Sequence, residues 1–261
     1  MDLNLVRLRI PLPAAAAQLL AGALMTERTL FEQSLSSLCS RALSNDAELV
    51  RRHQKPSLPF IFSLPADGQL ECLLLGPAIA ELPRVLSTVA ARAGLAQLAS
   101  FGAYDYQGAL IELKADGEAE LPVLSLAALL DLATPRYADC QRLRVTLLTP
   151  LRLVSNGREL SRFVVERFVR GVLRRISSLV AYYGTAAAPE QFVRLAALAD
   201  GLRLLVARPL QPPQGQRGLL GSFDLQGSCS ELAPMLELGG LLHVGKGASY
   251  GMGAFRVSPL S

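Results

Sequence analysis

The feature that most constrains the chain is a series of elements that occurs twice. In NLVRLRI, Val6, Leu8 and Ile10 fall on one side and Arg7 and Arg9 on the other, the two-residue period of a half-buried strand. A helical pattern follows to about Ser44, then strands at LPFIFSL and QLECLLLG, a helix over roughly Ile79–Ala93 and a closing strand at GALIELK. Past the connection DLATPRYADC the series returns. A strand at RLRVTLLTP precedes a long helix from Ser161 to about Tyr183, strands at GLRLLVARPL and LLGSFDLQG, a short helix near Ser230–Leu238 and a last strand at GAFRV. Strand, helix, strand, strand, helix, strand is the split βαβ arrangement. Written twice, it predicts an α+β chain of two tandem ferredoxin-like (βαββαβ) domains, residues 1–138 and 139–261.

Composition narrows the partners. With 51% hydrophobic and 18% charged residues over 261 positions, the chain can bury real cores and is not disordered. The net charge of +4 is carried by Arg, since Lys occurs only at Lys55, Lys114 and Lys246. Guanidinium recognises phosphate bidentately and stacks on bases, which fits a nucleic-acid partner. Cys39, Cys72, Cys140 and Cys229 stand singly, without a C-x-x-C pair or a nearby His cluster, and read as reduced thiols of a cytoplasmic protein. PAAAAQLLAGALM follows an acidic residue and a strand rather than a basic leader, so neither a signal peptide nor a membrane span is expected.

Along the long helix, Val165, Phe168, Val169, Val172, Ile176, Leu179 and Val180 form one apolar face at 100° per residue. Arg167, Arg170 and Arg174 form a stripe on the opposite face, with no balancing acid within it, and tilt the reading toward an anionic partner.

The stretch GGLLHVGKGASYGMGAFRV comes near the phosphate-loop pattern but has Gly247 where Ser or Thr should hold magnesium, and Gly251 and Gly253 oppose the helix that should follow. The dinucleotide fingerprint fails as well, because Tyr250 stands where its third glycine belongs. What remains is a loop with Gly245, Gly247, Gly251 and Gly253, whose backbone N–H groups could approach a phosphodiester. Lys246 adds charge, Ser249 a hydroxyl and Tyr250 a stacking face.

These residues resemble a known family. GGLLHVGKG, closing a second ferredoxin-like domain, is similar to the glycine-rich loop of the RAMP superfamily, and within it of the CRISPR precursor-RNA processing endoribonucleases. LLTPLRLVSNGRELSRFVVERFVRGVLRRISSLVAYYG and GLLGSFDLQGSCSELAPMLELGGLLHVGKGASYGMGAFRV extend the likeness over most of residues 142–257. The N-terminal half resembles the family mainly in its order of elements and in LLLGPAIAELPRVLSTVAARAG.

The resemblance implies a CRISPR repeat RNA-binding endoribonuclease that cuts by metal-independent attack of a ribose 2′-hydroxyl, leaving a 2′,3′-cyclic phosphate and a 5′-hydroxyl, with no cofactor. It implies CRISPR repeat RNA as partner, other CRISPR effector-complex proteins beside it, no membrane, and a monomer or homodimer. Many members place a His on the first helix, yet TERTLFEQSLSSLCSRALSND has none. His53, in RRHQKP between Arg51, Arg52 and Lys55, is the candidate acid or base, with an exposed surface His as the bland reading. Arg52 and Lys55 are candidate stabilisers of the phosphorane, as in relatives that manage without His. His243, in the apolar corner LLHVG, reads as a loop-bracing side chain. The expected RNA contacts are Arg51, Arg167, Arg170, Arg174, Gly245, Lys246, Gly247, Ser249, Tyr250, Gly251 and Gly253. A non-catalytic RAMP subunit that packs on guide RNA is the alternative. An unrelated small-molecule enzyme would need paired acids or a cofactor motif, and Asp105, Glu112 and Asp116 read instead as strand-edge and turn residues.

Overall fold

The computed structural model describes residues 3–26, 57–63, 66–114, 120–155, 157–184, 189–212 and 214–260. By its internal contacts the chain divides into two units, residues 2–126 with 179–185 and residues 127–178 with 186–261. The divide therefore falls ahead of the expected 138/139 boundary. The 3₁₀ turn Thr134–Tyr137 goes with the second unit, where Tyr137 is buried and Arg136 donates to Glu237 at 2.5 Å.

In the first unit, strands β1 (Asn4–Pro11), β2 (Phe60–Phe62), β3 (Gln69–Leu75), β4 (Ser100–Tyr104) and β5 (Leu110–Lys114) lie in the order β2-β3-β1-β4-β5, each pair antiparallel. A short β6 (Leu124–Ser125) also pairs with β1. Helices α1 (Ala14–Thr26) and α2 (Leu82–Arg92) supply the helical layer. The alternation seen in NLVRLRI holds: Val6, Leu8 and Ile10 are buried, while Arg7 and Arg9 stay partly exposed. Arg7 bonds Glu71 at 2.8 Å and lies 4.3 Å from the Tyr104 ring centre.

One strand assignment is corrected. The strand beside β1 that closes the motif is SFGAY, not GALIELK, which adds a hairpin edge outside it. The centre of SFGAY is buried, whereas Leu110 and Ile111 of β5 are exposed.

In the second unit, α3 (Leu126–Ala133) precedes β7 (Arg142–Leu151), a small β8–β9 hairpin (Val154–Ser155, Arg158–Glu159), α4 (Val165–Tyr183, whose residues from Leu179 on group with the first unit), α5 (Pro189–Leu198), β10 (Arg203–Leu210), β11 (Leu219–Gln226), α6 (Cys229–Leu242) and β12 (Phe255–Leu260). The sheet order is β10-β11-β7-β12, again with all neighbours antiparallel. The first unit without its β5 edge, and this one entire, thus share the split βαβ topology. All seven residues of the apolar face of α4 are buried. Phe163 stacks on Phe223 with ring centres 3.9 Å apart, and Phe168 meets Phe255 edge-on at 4.9 Å, so aromatic contacts join the α4 region to β11 and β12.

On the sheet, Asp224 of β11 is buried and receives Arg144 of β7 (2.7 and 3.0 Å) and Arg208 of β10 (2.9 Å), which fastens three strands. The hydrogen bond from Arg144, joined by that from Arg208, holds the Asp224 carboxyl down at about 2. β10 is an edge strand exposed along its whole length, Leu204, Leu205, Val206 and Leu210 included.

Candidate nucleic-acid interface

The glycine loop begins where α6 ends. Val244 and Gly253 close it, the Val244 N–H donating to the Gly253 carbonyl at 3.0 Å. Gly253 takes a φ of +67°, and a Cβ there would stand 1.8 Å from the Val244 carbonyl oxygen, so no other residue fits. Along one side the loop is laced to the strand end of β7 and the residue after it. The Lys246 N–H donates to the Arg152 carbonyl at 2.8 Å and the Gly253 N–H to the Pro150 carbonyl at 3.1 Å. Inside the loop, the Tyr250 and Met252 N–H groups both donate to the Gly247 carbonyl, at 2.9 and 3.2 Å.

This lacing leaves a narrow rim. Gly245 and Lys246 are exposed and Gly247 half-buried, whereas Ser249, Tyr250, Gly251 and Gly253 are buried. The N–H groups of Gly245 and Gly247 have no acceptor among the described residues. The stacking role expected for Tyr250 is corrected: its ring is 4% exposed and belongs to the core of the loop. Ser249 is likewise turned inward, its Oγ accepting from Arg175 at 3.2 Å.

Basic groups gather on the same side. Arg152 pairs with Glu159 on the β8–β9 hairpin, its Nε donating to Oε1 at 3.0 Å. The Glu159 carboxyl is held below its ordinary range, first by the hydrogen bond from Arg152 and then by the charges of Arg152, Lys246 and Arg217. The rim of the loop therefore lies in a cationic field that the Glu159 carboxylate partly offsets.

The Arg stripe of α4 is exposed as expected, but it is not without acids. Arg170 donates to both carboxylate oxygens of Asp200, at 2.8 and 2.9 Å, and has Glu166 one turn back at 3.8 Å. Arg167 has Glu166 at 4.0 Å, and Arg174 forms no ion pair among the described residues. Asp200 lies just beyond α5, a helix absent from the sequence expectation, which is why Arg170 looked unbalanced. Its partner follows it by thirty residues.

Arg175 is a contact of the loop that sequence reasoning passed over. It adjoins buried Ile176 at the border of the apolar face, yet its Nε donates to the Leu242 carbonyl at 2.7 Å. Its register alone carries no sign of that carbonyl. His243 is 5% exposed, with φ at +54° and an Nδ1 that has no hydrogen-bond partner. Burial, and after it the nearby Arg175 charge, push its pKa down to about 4. It is a neutral side chain inside the fold, as the apolar corner LLHVG implied. Arg51, Arg52, His53 and Lys55 lie outside the described residues. Among the described residues no three His, Cys, Asp or Glu side chains come together as a metal-ligand set, and no helix is long and apolar enough to cross a membrane.

A family model described as CRISPR-associated endoribonuclease Cas6 matches residues 145–255, from within β7 to the start of β12. Over that stretch the chain is similar to the Cas6 family. Solved Cas6 structures share its fold. A Cas6 substrate mimic complex is 17% identical, with 98% of this chain and 99% of that one aligned at a TM-score of 0.53. A Cas6 product complex is also 17% identical, covering 99% and 100% at 0.54. A chain of a partial Cas6-RT-Cas1–Cas2 complex is 13% identical and aligns at 0.59, with 99% of this chain but 46% of that one covered. No curated protein sequence matches the chain. The Cas6 match includes the whole glycine loop and the arginines of α4.

Proposed function

We propose that the chain binds CRISPR repeat RNA and cuts it by metal-independent transesterification. The observation that carries the reading is the exposed Gly245–Lys246–Gly247 rim, with two unclaimed N–H donors and one ammonium, inside the stretch that matches the Cas6 family. Such a rim suits a phosphodiester: the N–H groups point at its oxygens and Lys246 supplies charge. That Cas6 structures exist as substrate mimic and product complexes supports the same ligand here.

In the reaction, the 2′-oxygen forms a bond to the adjacent phosphorus while the bond from phosphorus to the 5′-oxygen breaks. The base takes the 2′-hydroxyl proton and the acid delivers one to the leaving oxygen. His53 is the proposed acid or base, with Arg51, Arg52 and Lys55 stabilising the charge that builds on the phosphorane. Arg167, Arg170 and Arg174 are proposed as phosphate contacts away from the cut, and Arg170 must give up part of its Asp200 pair to serve.

The test is single-turnover cleavage of end-labelled repeat RNA in excess chelator, beside a substrate carrying a 2′-deoxy at the cut site. One cut, abolished by the deoxy substitution, is the expected result. Cutting that survives the deoxy substitution would overturn the mechanism. Binding without cutting would assign the chain to the non-catalytic RAMP subunits, and Lys246→Ala binding at full affinity would remove the loop from the interface.

A further inference from the structure

One guanidinium underpins both ends of the rim. Arg175 of α4 donates from Nε to the carbonyl of Leu242, the last residue of α6, and from Nη2 to the Ser249 hydroxyl in the middle of the loop. Gly171, one turn earlier on α4, lies against Val244 at the start of the loop. Between the two anchor points the chain passes through His243, whose left-handed backbone and buried ring fix the direction in which it leaves α6. The three residues that remain outside this packing are those of the rim.

We propose that Arg175 is a positioning residue, which holds the Gly245–Lys246–Gly247 rim in the shape that receives an RNA phosphate without touching the RNA. The proposal rests on the RNA-binding reading above. An arginine suits the task because its planar fork offers two donors at fixed separation, which an ammonium cannot reproduce. A lysine at 175 keeps the charge near the end of α6 but gathers its donors on one nitrogen and loses the fixed spacing of Nε and Nη2.

The experiment measures repeat-RNA affinity of the full chain at one salt concentration for Arg175→Ala, Arg175→Lys, Ser249→Ala, Lys246→Ala and the Arg175→Ala/Lys246→Ala pair, well below their unfolding temperatures. Arg175→Ala is expected to weaken binding about tenfold and Ser249→Ala about threefold, with Arg175→Lys intermediate. Because Arg175 and Lys246 act through one rim, the double variant is expected to lose less than the product of the single losses. A role confined to stability leaves the affinity of the folded variants intact. Where Arg175→Ala does not fold, Ser249→Ala combined with Lys246→Ala decides the matter in the same way. Weak binding by Lys246→Ala with full affinity in the Arg175 and Ser249 variants, or losses that multiply, would overturn this proposal and leave the loop reading standing. Full affinity in Lys246→Ala would overturn both.

Discussion

At position 243 the side chain that the apolar corner LLHVG marks as loop-bracing is spent on shape. His243 exchanges water for the underside of the glycine loop, and its folded pKa of about 4 lies below the ordinary 6.5. Between these values the unfolded chain takes up a proton that the folded chain refuses. Stability is therefore complete above pH 6.5 and is lost as pH falls toward 4, by about 3 kcal/mol in all. Urea melts at stepped pH should show that decline, and His243→Gln, which removes the titrating ring, should flatten it. An unchanged slope would mean the ring is reached by water. The Asp224 carboxyl titrates in a lower window: its contribution is present above about 3.8 and is lost as pH falls toward 2, so the two groups separate on one pH series.

At the level of elements, α4 organises the second unit through its aromatic contacts. Phe168→Ala empties a site with no solvent access between Phe163 and Phe255 and should cost about 3–5 kcal/mol. Guanidinium melts read the loss, and one below 1 kcal/mol would mean that the neighbouring rings close over the gap. The same helix illustrates what the sequence disclosed. Its seven apolar positions were legible because burial follows a 3.6-residue period that neighbours cannot disguise. The closing strand SFGAY was not, since small residues in a buried strand lack the apolar alternation that the exposed hairpin GALIELK imitates. α6 runs on to Leu242 through Gly239 and Gly240, where a stop was expected, and a Cβ at 239 would stand 2.2 Å from Val172. Close helix contact, not helix ending, explains that glycine. In the candidate site, Gly245, Lys246 and Gly247 were readable from chemistry alone. The inward turn of Ser249 and Tyr250, the Asp200 partner of Arg170 and the reach of Arg175 depend on contacts distant in sequence.

For the whole molecule, a net charge of +4 carried by guanidinium groups makes binding of any polyanion a release of counterions. The affinity for repeat RNA should fall linearly with the logarithm of salt concentration. Lys246→Ala should reduce that slope by about one while weakening different RNA sequences to a similar extent. A slope unchanged by the substitution would place Lys246 off the phosphates. β10 bears on the molecule in another way. Its open edge and the Leu204, Leu205, Val206 and Leu210 side chains make a short apolar, strand-ready strip, interrupted by Arg203, Arg208 and Pro209. In a crowded preparation such a strip is where copies would pair edge to edge, so Arg203, which breaks it without an ion pair of its own among the described residues, acts as a gatekeeper, and Arg203→Leu should lower the attainable concentration.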